Sequence, residues 1–506
     1  MNPNAKIPKG MSFEDNSYTR LLKENLNIQV VYDWTASTSD YDEKMSLCIG
    51  SNTIPEIMNV NATQYRALLK YDMIQPLDKY FDDYASDALK SYVKSGGEEL
   101  QKCITNEDGE LMAIPAPNLT AGGVNEMWIR QDWLDALGLD VPRTWDELAE
   151  VAKAFVTRDP DGNGENDTIG ILGPGNSDHM NAVGGNQFGL GPLFSCFQSY
   201  PQYWLKSEDG SVEYGSIQPE TKTALENISK LYADGVIDPE TLVRSDSKEP
   251  LLAGKVGIFF GPWWCAYTFA DTTLSGSADW RAYFTPLSED GKYYTHMAEP
   301  TTQYVVASKD CKNPEAAFKI INYLVANEQK WVEEGVTSTE MGTGDFYPLY
   351  NTYDNADEIE KSYEALTKYL AGDISMDDVD FSTHKLLKND MEAVTKLKKK
   401  PYDDFSLKYW NLDSDLAKTN LPRLVAIMVG DAPLVNEEYV PVYNAYNGQT
   451  ETMEAKWANL KKMEEETFAK IIMGKADISE FDTFVKNWKN QGGDQILKEI
   501  NDELSK

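Results

Sequence analysis

The sequence predicts an α/β protein with at least two domain-sized cores. The chain has 506 residues, which is more than one domain usually contains. Its hydrophobic content of 41% and aromatic content of 11% are typical of a folded globular protein. Near the N-terminus short apolar runs alternate with helical patterns, which favours a parallel sheet covered by helices on both faces. From residue 356 onward the pattern is mostly helical.

The alternation ends at a stretch of small and polar residues. This stretch, 118–125, is a first candidate crossover between two lobes. The elements predicted before it are a helix at 16–26, a strand at 28–34, a helix at 39–49, a strand at 54–60, a helix at 64–70, helices through Leu89 and Leu100, and a strand at 111–115.

The next stretch predicts a strand, a short helix and a long helix. An apolar strand covers 127–129, and a short helix covers 131–137. Thr144 then has the character of an N-cap, with Glu147 three residues later, which is the capping-box pattern. The apolar residues that follow recur at helical spacing and predict one buried face.

An acidic loop after this helix predicts a calcium site. Calcium binds six to eight oxygen ligands, and an EF-hand loop supplies them at fixed spacing around a glycine, here Gly164. The loop departs from the EF-hand pattern because Gly170 stands where a bidentate glutamate is required and a strand follows. The alternative is a solvated turn that binds nothing. The predicted ligands are Asp159, Asp161, Asn163, Asp167 and the carbonyl of Glu165.

The rest of the chain contains fewer predicted strands. A long loop at 173–201 is rich in glycine, asparagine and aromatic residues, and loops of that length are often functional. A buried strand covers 255–260, and a strand at 304–308 marks a second candidate crossover. The predicted helices are 218–234, 314–327, 356–370, 384–399, 419–428, 450–473 and 479–504.

Composition excludes several classes of function. The formal net charge is -35, which disfavours binding to nucleic acid or to anionic lipid. Five dispersed cysteines and three dispersed histidines predict neither a disulfide framework nor a zinc site. The longest strongly apolar stretch, 256–270, is too short and too interrupted to span a membrane, and the start of the chain does not have the pattern of a signal peptide.

Three segments carry a family resemblance: W-I-R-Q-D-W-L-D-A-L-G-L from Trp128, P-R-T-W-D-E-L from Pro142 and D-P-D-G-N-G-E-N-D-T-I-G from Asp159. They resemble the family 1 extracellular solute-binding proteins, in particular the large lipoprotein branch of Gram-positive bacteria. Three more segments agree, at 50–57, 257–264 and 484–501. These landmarks span most of the chain, and their combination is specific.

The resemblance implies a periplasmic-binding-protein-like fold of type II, with two α/β lobes, a hinge and a ligand cleft between the lobes. It places residues 1–120 and about 300–345 in an N-terminal lobe, and 121–299 and about 346–506 in a C-terminal lobe that holds the calcium loop 159–167. In some relatives that loop holds structural calcium, with an acidic residue where Thr168 stands here.

The same resemblance implies a role and a location. The protein would be an extracellular, monomeric carrier that delivers its ligand to the permease of an ABC importer, with no enzymatic activity. It would be anchored to the membrane as a lipoprotein through an N-terminal cysteine. Because this chain does not show that cysteine, we expect its signal segment to have been removed.

A carbohydrate cleft needs flat aromatic faces for sugar C–H groups and polar side chains for hydroxyls. Trp263 and Trp264 are favoured, because neighbours in extended chain point to opposite sides, and one can face the core while the other faces the ligand. For each remaining aromatic, core packing is an equal alternative. The aromatic candidates are Trp34, Trp204, Trp263, Trp264, Trp280 and Tyr304, and the polar candidates are Asp33, Asn125, Glu299 and Gln303.

Three functions remain open at this point. The first is capture of an oligosaccharide, and the acidic chain favours a neutral glycan over a uronate polymer. The second is capture of a peptide or another small solute, since one fold serves several ligand classes. The third is cleavage of a polysaccharide, because a pair of carboxylates is sufficient for glycoside hydrolysis and has no local sequence signature.

Overall fold

A computed structural model of the protein describes residues 9–37, 40–176, 187–275, 278–333, 346–381, 384, 386–397 and 415–504. Some predicted elements and lobe segments therefore extend beyond the described residues, at 39, 177–186, 334–345 and 398–399. The α-helices are α1 (Ser17–Leu26), α2 (Tyr41–Gly50), α3 (Ala62–Lys70), α4 (Asp78–Tyr84), α5 (Asp87–Ser95), α6 (Gly97–Ile104), α7 (Gln131–Leu137), α8 (Trp145–Thr157), α9 (Gly191–Ser195), α10 (Pro219–Ala233), α11 (Lys248–Leu252), α12 (Ala266–Leu274), α13 (Glu315–Glu333), α14 (Glu358–Ala371), α15 (Leu387–Leu397), α16 (Asp415–Val425), α17 (Ala432–Asn436), α18 (Glu451–Ile472), α19 (Glu480–Trp488) and α20 (Asp494–Leu504).

The strands of the described residues form four small sheets. Their orders are β1-β10-β2, β4-β7-β3-β8, β5-β6 and β9-β11. The strands are β1 (Ile57–Asn61), β2 (Ile114–Pro117), β3 (Glu126–Arg130), β4 (Ile169–Ile171), β5 (Trp204–Lys206), β6 (Val212–Tyr214), β7 (Val256–Gly261), β8 (Trp280–Tyr283), β9 (Tyr293–His296), β10 (Thr301–Ala307) and β11 (Tyr439–Val442).

Local sequence signals account for the central elements. The Thr144 side chain accepts from the backbone N–H of Glu147, and the Glu147 carboxylate accepts from the N–H of Thr144, so the predicted capping box is confirmed. Gly138 ends α7 in the left-handed conformation, with a φ of 65°. These two signals fix the connection from β3 to α8.

The chain divides into two compact units, of which the first comprises residues 1–119, 300–358 and 380–385. Its central strand, β10, pairs antiparallel with both β1 and β2. The predicted parallel sheet is therefore wrong for this unit, because the strand between β1 and β2 comes from a segment that lies about two hundred residues further along the chain. The predicted strand at 28–34 is also wrong, since those residues form no regular structure.

The boundary of the first unit also differs from the prediction. Residues 346–358 belong to the first unit, whereas the prediction placed them in the second lobe. The reason is that Phe346, Tyr347 and Tyr353 are buried in the first unit's hydrophobic core. Tyr347 packs edge-on against Tyr18 of α1, with 5.7 Å between ring centroids.

The second unit comprises residues 120–299, 359–379 and 386–506. In its larger sheet β3 pairs antiparallel with β7 and β8, while β4 and β7 are parallel. Met127 and Ile129 of β3 point into the main core, and Trp128 packs on the other face against Phe259 and Phe269. Both faces of this sheet are therefore covered.

The C-terminal helical segment is divided in the structure. The helix predicted at 479–504 is two helices, α19 and α20, because Gly492 between them has a φ of 140°. All five cysteines are free thiols in this structure. No helix in the described part of the chain is long and apolar enough to cross a membrane.

Candidate functional site

Three segments of the second unit bring four of the predicted ligand residues together. Glu126 of β3 pairs with Gly261 of β7, so that Asn125 lies near the turn that follows β7. Trp263 and Trp264 lie in that turn, a 3-10 turn over Trp263–Cys265, and not in the extended chain that was predicted. Trp263 is only 5% exposed, whereas Trp264 is half-buried.

The segment after β9 completes this region. Residues 121–123 form a 3-10 turn that packs against the Trp263 turn. Gly123 allows a close approach, because a Cβ there would lie 3.3 Å from the backbone nitrogen of Ala298. Glu299 follows directly and is half-buried. We call Asn125, Trp263, Trp264 and Glu299 the Trp264 face.

Buried polar atoms lie beside the Trp264 face. The indole N–H of Trp263 and the Nε2 of His296 are buried and have no hydrogen-bond partner in the described part of the chain. Burial lowers the pKa of His296 to about 3, so the imidazole is neutral at physiological pH. Tyr203 packs edge-on against His296, with ring centroids 4.9 Å apart, and donates to the Met297 carbonyl at 2.7 Å.

The first unit contains a separate group around Trp34. Trp34 is half-buried and packs against Tyr41, with ring centroids 5.5 Å apart, while Lys44 Nζ lies 5.9 Å from the Trp34 centroid. Asp33 beside it is exposed. The Tyr41 hydroxyl donates to the Asn59 carbonyl at 2.8 Å.

Polar side chains lie on β1 and β10 of the first unit. The Asn59 amide donates to Asn351 Oδ1 at 3.0 Å, and Asn59 Oδ1 has no partner among the described residues. Gln303 is half-buried on β10, where it pairs with Asn61. The first unit thus offers an aromatic ring, a cation and amide groups.

Three predicted aromatic ligand residues lie in the cores of the units. Tyr304 is fully buried and stacks on Tyr65, with 4.4 Å between ring centroids. Trp204 packs against Tyr214 at 4.7 Å, and Trp280 packs against Phe259 at 5.1 Å. The structure thus places these three rings in hydrophobic cores, the alternative given for each of them, and their role toward a ligand stays a prediction. The sequence pattern of an aromatic residue in a short strand is the same whether the residue packs in a core or lies at a ligand site.

The acidic loop gathers its oxygen atoms around one amide. Asn163 Nδ2 donates to Asp161 at 3.0 Å and to Asp167 at 3.3 Å, and Asp159 accepts the backbone N–H groups of Asn163 and Gly164. Burial, followed by the neighbouring carboxylate of Asp159, raises the pKa of Asp161.

On the other side of the loop, a lysine pairs with the carboxylate of Asp167. Lys255 Nζ lies 2.8 Å from Asp167, and its hydrogen bond lowers the pKa of that carboxyl. In the parts of the chain that the structure describes, no three His, Cys, Asp or Glu side chains are close enough together to hold a metal ion. The loop offers the oxygen ligands that calcium prefers. A bound ion would take the place of the Asn163 amide as the partner of the carboxylates.

Sequence reasoning missed His296, Tyr203 and Asn59. Each is a single polar residue in or beside a strand, and no local motif marks it. Their proximity to the predicted residues depends on pairings between distant segments, which a single sequence does not show.

The comparisons with known proteins agree on one type of protein. A family model described as "Bacterial extracellular solute-binding protein" matches residues 6–331. The chain is 30% identical over 257 residues to the fructooligosaccharide ABC transporter substrate-binding protein FusA of Streptococcus pneumoniae serotype 4, a match that covers 48% of this chain and 45% of FusA. It is 24% identical over 469 residues to the polygalacturonan/rhamnogalacturonan-binding protein YtcQ of Bacillus subtilis, covering 90% of this chain and 82% of YtcQ.

Solved structures share the fold. An HMO-binding, ABC-transporter-associated solute-binding protein from Bifidobacterium longum infantis has a TM-score of 0.57 at 18% identity, with 98% of this chain and 96% of that chain covered. FusA in complex with kestose has a TM-score of 0.53 at 20% identity, with 98% and 96% covered. This likeness confirms the predicted α/β, periplasmic-binding-protein-like fold class. The first relatives by sequence, FusA and the lipoprotein LipO of Bacillus subtilis, are each matched over 45% of their own length.

Proposed function

The chain belongs to the family of bacterial extracellular solute-binding proteins, and from that premise we propose that it captures an oligosaccharide for an ABC importer. Two relatives, FusA and YtcQ, are named for binding oligosaccharides or polysaccharides. The observation that carries the proposal is the Trp264 face, where the half-buried Trp264 lies in a turn that packs against residues 121–123, and Asn125 and Glu299 lie on the adjoining chain segments. Sugars are recognised by this combination of a flat apolar ring and hydrogen-bonding groups.

The charges near the candidate residues favour a neutral sugar. Glu299 on the Trp264 face and Asp33 beside Trp34 are acidic, and the whole chain carries a formal net charge of -35. A uronate bound beside either carboxylate would be repelled by it unless a cation were placed between them. An acidic glycan is the second candidate, because the match to YtcQ covers 90% of this chain.

Replacement of Trp264 tests the proposal directly. Loss of the ring in Trp264→Ala should weaken the binding of a neutral oligosaccharide such as kestose by at least about tenfold, which corresponds to about 1.4 kcal/mol. Isothermal titration of the full chain measures the effect. Tyr267→Ala is the matched control, because Tyr267 lies three residues further along the chain and is 50% exposed. Equal affinity in wild type and Trp264→Ala would remove this face from the ligand site.

The enzymatic alternative requires a separate test. The known relatives are substrate-binding proteins, and we propose that this chain also binds without turnover. Prolonged incubation with a bound oligosaccharide should therefore release no new reducing ends. Release that depends on protein concentration would identify a glycoside-cleaving enzyme.

We also propose that the acidic loop binds calcium in a structural role. The oxygens of Asp159, Asp161, Asn163 and Asp167 would hold the ion with the Glu165 carbonyl. One solved structure of this fold is described as an EF-hand mutant of FusA, and another as the alginate-binding protein AlgQ2 without calcium ion. These names support the proposal for this chain.

Calcium titration with a thermal readout tests the loop. At one hundred times its dissociation constant, a bound ion adds about 2.7 kcal/mol to the stability of the folded state. Calcium should raise the melting temperature of EDTA-treated protein, and Asp161→Asn should abolish most of the rise. The control is Asp502→Asn, which removes an exposed carboxylate from α20. A melting temperature that does not respond to EDTA or to calcium would identify the loop as a plain turn.

The extracellular location follows from the family, and a lipid anchor is a proposal. One relative is named lipoprotein LipO. We propose that a cysteine in the signal segment of the full gene product carries the lipid and that the mature protein delivers its ligand, as a monomer, to a permease. Incorporation of labelled palmitate into the full gene product, expressed in a Gram-positive host, would test the anchor.

A further inference from the structure

Two buried carboxylic acids lie directly behind the Trp264 face. Glu126 is the first residue of β3 and shares a sheet face with Trp128, whose indole N–H donates to the Pro262 carbonyl at 3.3 Å. Asp431 follows a buried π-helical turn over Ala426–Gly430, a rare conformation that is frequent at functional sites.

The π-helical turn is packed against the backbone of the Trp263 turn. Gly430 is in such close contact that a Cβ there would lie 2.5 Å from the Trp263 carbonyl oxygen and 2.9 Å from the Trp128 ring. Asp431 is the next residue, so it adjoins the contact between the π-helical turn and the Trp263 turn.

Neither acid has a partner for its charge. Glu126 and Asp431 are fully buried, and all four of their carboxylate oxygens lack a hydrogen-bond partner within the described residues. A buried carboxylate without a partner is so unfavourable that the group takes up a proton instead. Both side chains are therefore neutral acids in the folded protein.

Among the described residues, the groups that shift the pKa of the two acids are acidic and supply no counter-charge. Burial first, and then Glu360 of α14, raises the pKa of Asp431 to about 9. Burial, followed by Asp431 and Glu437, raises the pKa of Glu126 well above its usual value. Arg143 pairs with Glu437, and Arg423 pairs with Asp390. The remaining titratable groups that interact with the two acids are Cys265 of the Trp263 turn, Tyr293 of β9 and Tyr439 of β11.

We propose that Glu126 and Asp431 are positioning residues for ligand capture, and that their neutral forms hold the π-helical turn against the Trp263 turn. This proposal rests on the proposed carbohydrate function. Glu126 and Asp431 bind protons more tightly in the folded arrangement than in the unfolded chain, so low pH favours this arrangement. Its stability decreases as the pH rises through the raised pKa of the two acids. Ionisation requires water to reach the two carboxylates, which displaces the packed turn and moves Trp264.

Binding measured against pH tests this proposal. The affinity of wild-type protein for kestose, or for the neutral oligosaccharide that binds best, should fall by at least about tenfold between pH 7 and pH 10. The double variant Glu126→Gln/Asp431→Asn keeps the shape of both side chains and should bind with an affinity that does not change with pH. The matched control is Glu464→Gln, which neutralises a buried carboxyl elsewhere in the second unit and should keep the wild-type profile.

A ligand-free measurement separates this proposal from the proposed function. Protein labelled with 5-fluorotryptophan gives one fluorine resonance for each tryptophan, and Trp263→Phe and Trp264→Phe assign the two that matter. Both resonances should shift between pH 7 and pH 10 in wild type and stay fixed in the double variant, even if no carbohydrate binds. Resonances that do not titrate in wild type, or that titrate equally in the double variant, would overturn the positioning role.

Discussion

We expect one buried glutamate, Glu464 of α18, to make the stability of the second unit depend on pH. The side chain is fully buried, the Tyr214 hydroxyl donates to its Oε2 at 2.7 Å, and its Oε1 has no partner among the described residues. Burial raises the pKa of Glu464 from 4.5 to about 7, although hydrogen bonds from Tyr214 and Ser216 act in the opposite direction. The folded state therefore keeps a proton that the unfolded chain has already lost.

The sign and the size of the effect follow from this difference. Because the folded pKa is the higher one, the contribution of Glu464 to stability is fully present below pH 4.5 and is lost as the pH rises through about 7. The difference of about 2.5 pH units, at 1.36 kcal/mol for each unit, amounts to about 3 kcal/mol. Glu464→Gln stays neutral and keeps a carbonyl that can accept from Tyr214, so it should not show this loss.

Urea unfolding at pH 5 and pH 8 measures the prediction. Tryptophan fluorescence can report the transition, because Trp488 stacks on Tyr214 with 4.8 Å between ring centroids. The variant should gain about 2.5 kcal/mol relative to wild type when the pH is raised from 5 to 8, because a small part of the effect is already lost at pH 5. Glu466→Gln, on an exposed position of the same helix, should change that difference by less than about 0.5 kcal/mol. A Glu464→Gln variant with the wild-type pH dependence would show that the Glu464 carboxyl is not the source of this pH dependence.

Two further predictions concern the region around the Trp264 face. His296→Gln should make the protein more resistant to acid unfolding, because the unfolded histidine takes up a proton below pH 6.5 while the folded one does so only near pH 3, a difference of about 5 kcal/mol. The pH at the midpoint of acid unfolding should therefore fall. An unchanged midpoint would contradict the buried, neutral imidazole. Gly430→Ala should cost about 1–3 kcal/mol in urea unfolding, because its Cβ would meet the Trp263 carbonyl oxygen at 2.5 Å. Gly50→Ala, where a Cβ meets nothing within 4 Å, is the control, and equal effects of the two would contradict the close packing.

Local signals in the sequence predicted individual elements well. The Thr144 capping box and the left-handed Gly138 were correct, because both depend on residues within one turn of the chain. The sheet direction was wrong for the first unit, since β10 reaches its place between β1 and β2 from a distant segment. Residues 346–358 were misplaced for a related reason, as their aromatic side chains fill a core formed by earlier residues.

The candidate site was predictable only in part. Asn125, Trp263, Trp264 and Glu299 lie together as a set, but Trp204, Trp280 and Tyr304 have the same local pattern and pack in cores. Aromatic residues at the ends of short strands serve both purposes, and burial alone separates them. The unpartnered acids behind the face were not predictable, because their significance depends on the absence of a counter-charge from several separate elements.

Carbohydrate capture is tested most directly by a calorimetric titration of the full chain, in buffer that contains calcium, with neutral oligosaccharides, followed by mass spectrometry of the recovered ligand. We expect saturable binding of at least one oligosaccharide series and recovery of that ligand intact. Binding of peptides with no response to any glycan, or recovery of shortened glycans, would contradict the claim that this protein is a carbohydrate carrier.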